Sequence, residues 1–406
     1  MIKVGIDIGN SKISCVVSDF KSKETINILS IKSLPSVNIN KNTILNYDEF
    51  LNQLKTIILE SEKNSQTKIK SINLSIPLFD HIIKYYSSEI NLHNEKISNL
   101  HLNKLVNQSE YFEKESNFTD ILNYIISYEI DHKNVSSIPY ETFAENIKLI
   151  FFKLMIKAKI IQNYSDIFKK IDLYVENFIP SPISSSLAVI TRDEKELGSI
   201  CIDLGHSNTS ITIFENNKCI YSDSFSIGSN NITNDIARGV STTISSAERL
   251  KTLYGSLHSS PSDEHEIIEV PIMSDEANSF KQINRLFLNS IIKPRVEETL
   301  EIAWQKIKQY NFHNKKIKNV IITGGGAQLE GIEEYVKMIF SSNVRTAKPH
   351  QYLNLQKEFN KPNFSDLLGT IIYDNNDFIV NDLKSKSNLI KKTRISGFFS
   401  WLDQYI

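Results

Sequence analysis

Val4-Gly5-Ile6-Asp7-Ile8-Gly9-Asn10-Ser11-Lys12-Ile13 returns, altered, as Ile200-Cys201-Ile202-Asp203-Leu204-Gly205-His206-Ser207-Asn208-Thr209-Ser210-Ile211. Each copy reads as an apolar strand, an aspartate, a glycine turn with small polar residues, and a second apolar strand. Gly9 and Gly205 permit a tight hairpin and let a ligand approach bare backbone. Successive N–H groups in such a turn make a concavity that favours anions. Asn10, Ser11, Lys12, His206, Ser207, Asn208 and Thr209 add side chains at the same turns. Asp7 and Asp203 stand at strand ends. Two carboxylates beside a polyphosphate repel it unless a divalent cation lies between, and Mg²⁺ suits that place because it keeps several waters and binds through few carboxylates. The plainer alternative is two ordinary hairpins whose Asp and Gly serve only the turns. The repetition argues against it and implies two related half-domains facing each other across a nucleotide.

A third loop strengthens the reading. Val320-Ile321-Ile322-Thr323-Gly324-Gly325-Gly326-Ala327-Gln328-Leu329 is a buried strand running into three glycines, and an amphipathic stretch from Glu330 to Phe340 follows. Glycines at a strand-to-helix junction admit a flat ligand, and the helix N-terminus adds a favourable dipole for phosphate or ribose oxygens. The loop lacks the Lys and Ser or Thr of a Walker A sequence, and it lacks the G-x-G-x-x-G spacing.

Two phosphate hairpins followed by a glycine-rich adenosine loop is the order found in the actin, sugar-kinase and DnaK-type chaperone superfamily. The chain more closely resembles the FtsA family of bacterial cell division. Asp193-Glu194-Lys195-Glu196-Leu197-Gly198, Phe225-Ser226-Ile227-Gly228-Ser229-Asn230-Asn231-Ile232-Thr233-Asn234-Asp235-Ile236-Ala237, Ala247-Glu248-Arg249-Leu250-Lys251-Thr252-Leu253-Tyr254-Gly255 and Lys361-Pro362-Asn363-Phe364 through Gly369 carry that resemblance. It spans nearly the whole chain and is weakest from about Phe79 to Ile171. It implies an α/β actin-like ATPase fold, with two related half-domains around a nucleotide cleft and a small subdomain inserted in the first half.

Composition agrees with a globular protein of several domains. The 406 residues carry 46 Lys plus Arg against 47 Asp plus Glu, so net charge gives no reason to expect nucleic acid. Hydrophobic content is 40%, ordinary for a soluble fold. Cys15, Cys201 and Cys219 show no metal spacing, and their odd number argues against a disulfide framework. They are expected to be core residues in a reducing compartment. The chain enters a strand almost at once, so no signal peptide is expected. No apolar run approaches the ~20 residues that span a bilayer.

The expected organisation is a first core subdomain from residues 1–78 plus 172–196, an inserted subdomain at 79–171, a second core subdomain at 197–226 plus 318–374, and a helical subdomain at 227–317. Residues 2–17 and 25–34 read as strands, Tyr47–Ser61 as a helix and Ile69–Ile76 as a strand. Within the insertion, Asp80–Ile90 and Tyr124–Tyr128 read as strands and Asn99–Glu115 as helix, while Ala144–Lys153 fits either state. A short helix is expected at Ser184–Thr191, a strand pair near Glu266–Ile272, and a closing helix at Phe364–Tyr373. Residues 375–390, rich in Asn, Asp, Ser and Lys, read as a flexible linker.

In the last sixteen residues, Ile395, Phe398, Phe399, Leu402, Tyr405 and Ile406 fall on one helical face, with Trp401 near its edge. Lys391, Lys392 and Arg394 precede them and favour anionic lipid. From Ile395 such a helix is about 18 Å long at ~1.5 Å per residue, too short to span a ~30 Å core, so it should lie in the interface. Docking on the chain's own core or on a partner is the alternative.

The resemblance implies further roles. Glu248 and Lys251, one helical turn apart, would flank an adenosine; otherwise they form a solvated ion pair. Arg295 matches the family's basic position for the C-terminal peptide of FtsZ, the tubulin-like ring protein; otherwise it is a surface arginine. His206 stands where the family usually has a second glycine, and either contacts phosphate or narrows the pocket. The inserted subdomain would serve self-association and late division partners, or be structural. Filament formation would join many weak tails into strong attachment by avidity, at the division septum on the cytoplasmic side of the inner membrane.

Superfamily ATPases often carry Gln or Glu at the turn after Pro180. Here that turn is Ser181-Pro182-Ile183-Ser184-Ser185-Ser186, and Glu176 lies inside the preceding strand. ATP with Mg²⁺ is therefore expected as a conformational ligand, with slow or absent hydrolysis. An actin-like scaffold of the type IV pilus kind and a small-molecule kinase of the same fold are the other readings, and neither gives a reason for the tail.

Overall fold

The computed structural model describes residues 1–374 apart from 23–24, 37–38, 41–42, 110–114, 136, 259, 272–279 and 311–318. The expected linker and amphipathic helix, 375–406, lie outside the described residues. Strand β1 (Ile2–Ile8) turns at Gly9 into β2 (Lys12–Ser22), and β3 (Thr25–Pro35) continues the meander. The two-residue strands β4 (Ile39–Asn40) and β5 (Thr43–Ile44) pair with each other before α1 (Tyr47–Ser65). Asn46 caps α1 by accepting from the Glu49 N–H, and the helix buries Phe50, Leu54, Ile57 and Ile58 against β2 and β3. β6 (Ser71–Ile76) follows.

The chain next makes an excursion: β7 (His81–Lys96), α2 (Asn99–Ser109), β8 (Phe118–Ile130), β9 (Lys133–Val135) and β10 (Phe143–Lys157). These build a separate unit, His81–Lys157, around an antiparallel sheet of order β7-β10-β8-β9. Its core gathers Leu102 and Leu105 of α2 with Ile125, Tyr128, Ile147, Leu149 and Phe151 of the sheet. The ambiguous Ala144–Lys153 stretch is strand. Burial alternates as far as Ile150, but from Phe151 to Ile156 the strand is buried on both faces, which hides the period-2 signal there.

The larger unit, Met1–Asp80 with Ala158–Tyr373, resumes at α3 (Ala158–Lys169) and β11 (Tyr174–Pro180). The insertion thus ends at Lys157 rather than at 171. The reason is α3, an amphipathic helix that buries Ile161, Tyr164, Ile167 and Phe168 and packs on β11. α4 (Ser181–Val189) starts three residues before the expected Ser184, because Pro182 falls in the first turn, where no N–H is needed. α5 (Arg192–Leu197), β12 (Ser199–Leu204), β13 (Thr209–Glu215) and β14 (Lys218–Phe225) lead to the helices α6 (Ser229–Val240) and α7 (Ile244–Tyr254). The strand pair is β15 (Ile267–Pro271) with β16 (Phe280–Asn284), and α8 (Arg285–Gln309) follows. The chain closes with β17 (Asn319–Thr323), α9 (Ile332–Phe340), β18 (Asn343–Thr346) and α10 (Ser365–Ile372).

The repeat seen in the sequence is a repeat of topology. One sheet has the order β11-β6-β1-β2-β3 and the other β18-β17-β12-β13-β14. In each, a hairpin pairs antiparallel (β1 with β2, β12 with β13) and a parallel strand flanks its first member (β6, β17). The registers agree to the residue: Asp7 faces Ser14, and Asp203 faces Ser210.

The closing helix does not belong with the second half alone. α10 packs on β1, β2 and β6 of the first sheet and crosses α4, which packs on β13 and β14 of the second. Two glycines permit this. A β-carbon on Gly5 would lie 1.7 Å from Thr370 Oγ1, and one on Gly369 would lie 1.7 Å from the Ser184 carbonyl oxygen. Every residue of α4 is buried. Ser184 Oγ donates across to the Asp366 carbonyl of α10 at 2.6 Å, and Ser186 Oγ donates locally to the Ile183 carbonyl at 2.8 Å.

Candidate functional site

Both hairpin turns close the same way. The Gly9 N–H donates to the Lys12 carbonyl at 2.9 Å, and the Gly205 N–H to the Asn208 carbonyl at 3.0 Å. The turns open on one cleft of about 570 Å³, lined by Asp7, Gly9, Asn10, Ser11 and Lys12 from the first hairpin and Asp203, Gly205, His206, Ser207 and Asn208 from the second. Glu248, Lys251, Gly324, Gly325 and Gly326 line it as well. A cleft of this size holds an ordinary cofactor. Thr209, proposed from sequence as a further donor, is not at its surface. It is fully buried, and its hydroxyl donates to the Ile227 carbonyl at 2.8 Å.

Electrostatics on the cleft floor are unfavourable as the chain stands alone. Burial pushes the Asp7 carboxyl up to about 6 despite the nearby Lys12. Burial likewise pushes Asp203 up to about 6, against a hydrogen bond from Ser185, with the Asp7 charge adding to the rise. Burial draws Lys12 down to about 8, opposed by Asp7 and Asp366. Lys12 Nζ finds no hydrogen-bond acceptor and rests 3.2 Å over the Phe364 ring.

The second hairpin is tied to the helical region. The Ser229 N–H donates to the Gly205 carbonyl at 2.9 Å and the Asn230 N–H to the His206 carbonyl at 2.8 Å, which fixes the start of α6 against the turn. Burial and the Lys251 charge hold the His206 imidazole below its ordinary range, so it meets the cleft neutral at physiological pH. Glu248 and Lys251 are more than a solvated pair. Lys251 Nζ donates to Glu248 at 2.7 Å, to the Thr233 hydroxyl at 2.8 Å and to the Ser229 carbonyl at 3.1 Å, joining α7 to α6.

The third loop departs from the expected strand-to-helix junction. Gly324 has φ +87°, and Gly325–Gln328 form a 3₁₀ turn before α9 starts at Ile332. Leu329 and Glu330 line the cleft, but no residue of α9 does. The helices whose first turns reach the cleft are α4, α6 and α10, through Ser181, Ser229 and Asp366. Sequence reading missed Asp366, Asn363, Ser181 and Ser229, all of which line the cleft. The signal for Asn363 and Asp366 is the Lys361-to-Gly369 segment; for Ser181 and Ser229 it is the turn after Pro180 and the Phe225-to-Ala237 segment.

Arg295 lies on α8, away from the cleft lining. Its guanidinium meets Asp235 of α6 through Nε at 2.6 Å and Nη2 at 3.2 Å, and also contacts Glu298. Cys15, Cys201 and Cys219 are buried, and among the described residues none forms a disulfide.

Comparison with known proteins gives a consistent result. Residues 200–369 match the family model described as "Cell division protein FtsA". The cell division protein FtsA of Agrobacterium fabrum is 25% identical over 379 residues, covering 91% of this chain and 86% of that protein. Among solved structures, the PilM–PilN type IV pilus biogenesis complex aligns with TM-score 0.63 at 13% identity, covering 91% of this chain and 97% of the other. The MreB5 protein of Spiroplasma citri, bound to ADP, aligns with TM-score 0.55 at 11% identity, covering 92% and 96%. The last two establish the actin-like fold alone. The duplicated sheets and shared cleft agree with the actin-like fold, and the family-model match and relatives alignable along nine-tenths of the sequence make this chain similar to the cell-division protein FtsA.

Proposed function

We propose that the chain binds ATP with Mg²⁺ in this cleft, assembles into filaments, and tethers the FtsZ ring to the cytoplasmic membrane at the septum. Residues 391–406 would supply the attachment, and Arg295 with its surroundings would receive the FtsZ peptide. Later division proteins and self-contacts would use the His81–Lys157 unit. The observation that carries the reading is the convergence of both hairpin turns and the glycine loop on one cleft in a chain whose residues 200–369 match the FtsA family model.

The residues present fit a cation brought in with a nucleotide. Buried carboxylates with raised pKa values are relieved by a positive charge between them. Among the described residues no three acidic, His or Cys side chains form a ready metal cage. The remaining ligands would be water and phosphate oxygens, as suits Mg²⁺. Lys12, Ser11, Ser207, Asn208 and the turn N–H groups would hold the phosphates, and Gly324–Gly326 with Glu248 and Lys251 the adenosine. Mg²⁺ would neutralise phosphate charge there. With no acid or base identified to orient an attacking water, nucleotide would act mainly as a conformational ligand, with slow or absent turnover. The structural likeness to a pilus-assembly protein carries fold alone, and no observation favours a metabolite kinase.

The test is titration calorimetry of the full chain with ATP·Mg²⁺ and ADP·Mg²⁺, followed by sedimentation for polymer. Binding, with ATP·Mg²⁺ driving more protein into the pellet, supports the reading. A protein that binds neither nucleotide contradicts it.

A further inference from the structure

Beside the two hairpin aspartates the cleft holds a third aspartate that neither hairpin supplies. Asp366 sits in the first turn of α10 and lines the cleft with Asp7 and Asp203. The first turn of a helix favours an anion, so this helix end could have received a phosphate through its N–H groups. The chain instead places its own carboxyl group there. Ser75 Oγ holds that side chain at 2.6 Å, and Ser184 Oγ holds its carbonyl at 2.6 Å. Burial, and next the Asp7 charge, push the Asp366 carboxyl well above the ordinary range, with Asp203 adding to the rise.

Two unsatisfied groups stand in the same place. Asn363 Oδ1 is buried without a donor, and Lys12 Nζ is buried without a hydrogen-bond acceptor. Both belong to residues of the cleft lining. An acceptor without a donor beside three carboxylates calls for positive charge, and a lysine without an acceptor calls for an anion. A metal–phosphate pair satisfies both; a bare polyphosphate satisfies only the second and meets the carboxylates head on.

We propose that Asp366 is a positioning residue of the phosphate site that makes nucleotide binding dependent on a divalent cation. This deepens the nucleotide reading above and rests on it. Asp7 first and Asp366 next are the carboxylates whose charge acts on Lys12. When nucleotide enters, the phosphates take over Lys12, and the released carboxylate repels them unless the cation enters too. A neutral residue at 366 would remove part of that repulsion and keep the Lys12–phosphate attraction.

The experiment compares ATP affinity in excess Mg²⁺ with affinity in EDTA, for the full chain and for Asp366→Asn. Asp366→Thr serves as a second, smaller neutral variant, and melting curves confirm that both fold. The wild type is expected to bind far more tightly with Mg²⁺. Both variants are expected to narrow the Mg²⁺-to-EDTA ratio at least about tenfold, chiefly by stronger metal-free binding, a change worth about 1.4 kcal/mol. An unchanged ratio in a folded variant overturns the role of Asp366 while leaving the nucleotide site standing. Absence of binding by the wild type in both buffers overturns the nucleotide reading itself, and this role with it.

Discussion

A β-carbon on Gly324 would lie 2.1 Å from Asp203 Oδ1. The third loop is therefore seated directly on the aspartate of the second hairpin, and these two chemical elements of the cleft share one van der Waals surface. The backbone at Gly324 has φ +87° and ψ 175°, a region open to glycine and little else.

Gly324→Ala is expected to be severely destabilising, by about 3 kcal/mol or more, from strain and overlap together. Thermal melting with and without nucleotide checks this. The variant should melt lower and lose its nucleotide-induced shift, whereas Gly325→Ala, whose β-carbon meets only Asn363 Cβ at 3.9 Å, should do neither to the same degree.

The α4–α10 crossing gives a second contrast. Gly369→Ala drives a methyl into the Ser184 carbonyl, 1.7 Å away, and backbone cannot step aside cheaply. A loss of about 3 kcal/mol or more is expected in urea unfolding. Gly239→Ala, within α6, meets only the tip of Ile291 at 2.8 Å. Its steric cost is offset by the ~1 kcal/mol helix advantage of alanine, so it should stay within about 1 kcal/mol of the wild type.

Lys251 joins α7 to α6 through three acceptors. Lys251→Ala leaves the Ser229 carbonyl and Glu248 without this donor, and a loss of ~1–2 kcal/mol is expected, discounted because Glu248 is 46% exposed. Nucleotide affinity should fall as well. A double-mutant cycle with Thr233→Val should show coupling, and strict additivity would count against the shared network.

Stability should carry a pH signature from His350. Its Nε2 meets the Leu187 carbonyl at 3.0 Å, and burial draws its pKa from 6.5 to about 4. The unfolded chain takes the proton first, so this contribution is present above pH 6.5 and lost as pH falls toward 4. Asp7 and Asp203, raised to about 6, act oppositely, costing stability as pH rises from about 4 to 6. The difference between wild type and His350→Gln cancels that shared term. Urea unfolding should show the wild type losing about 2–3 kcal/mol more than the variant between pH 7 and pH 4; parallel curves would refute the assignment.

Much of the fold was legible because the hairpins repeat. The repeat implied two related half-domains, and the two sheets share their strand order and even their pairings, Asp7↔Ser14 and Asp203↔Ser210. Asp366 was not legible. An aspartate early in a helix reads as an ordinary end charge, and only the α10–α4 crossing brings it to the hairpins. Thr209 misled for the opposite reason, since in a strand one residue beyond the turn its side chain points to Ile227 instead of the cleft. α9 was legible from its apolar spacing and runs Ile332–Phe340, whereas the 3₁₀ turn at Gly325–Gln328 that separates it from the glycines leaves no pattern in so few residues.

The most direct test of the tethering role is liposome co-sedimentation of the full chain against one ending at Asn388, on anionic vesicles with and without ATP·Mg²⁺. Binding that needs the last residues and is strengthened by ATP·Mg²⁺ is the predicted result. Failure of both chains to bind, at high protein concentration, would contradict it.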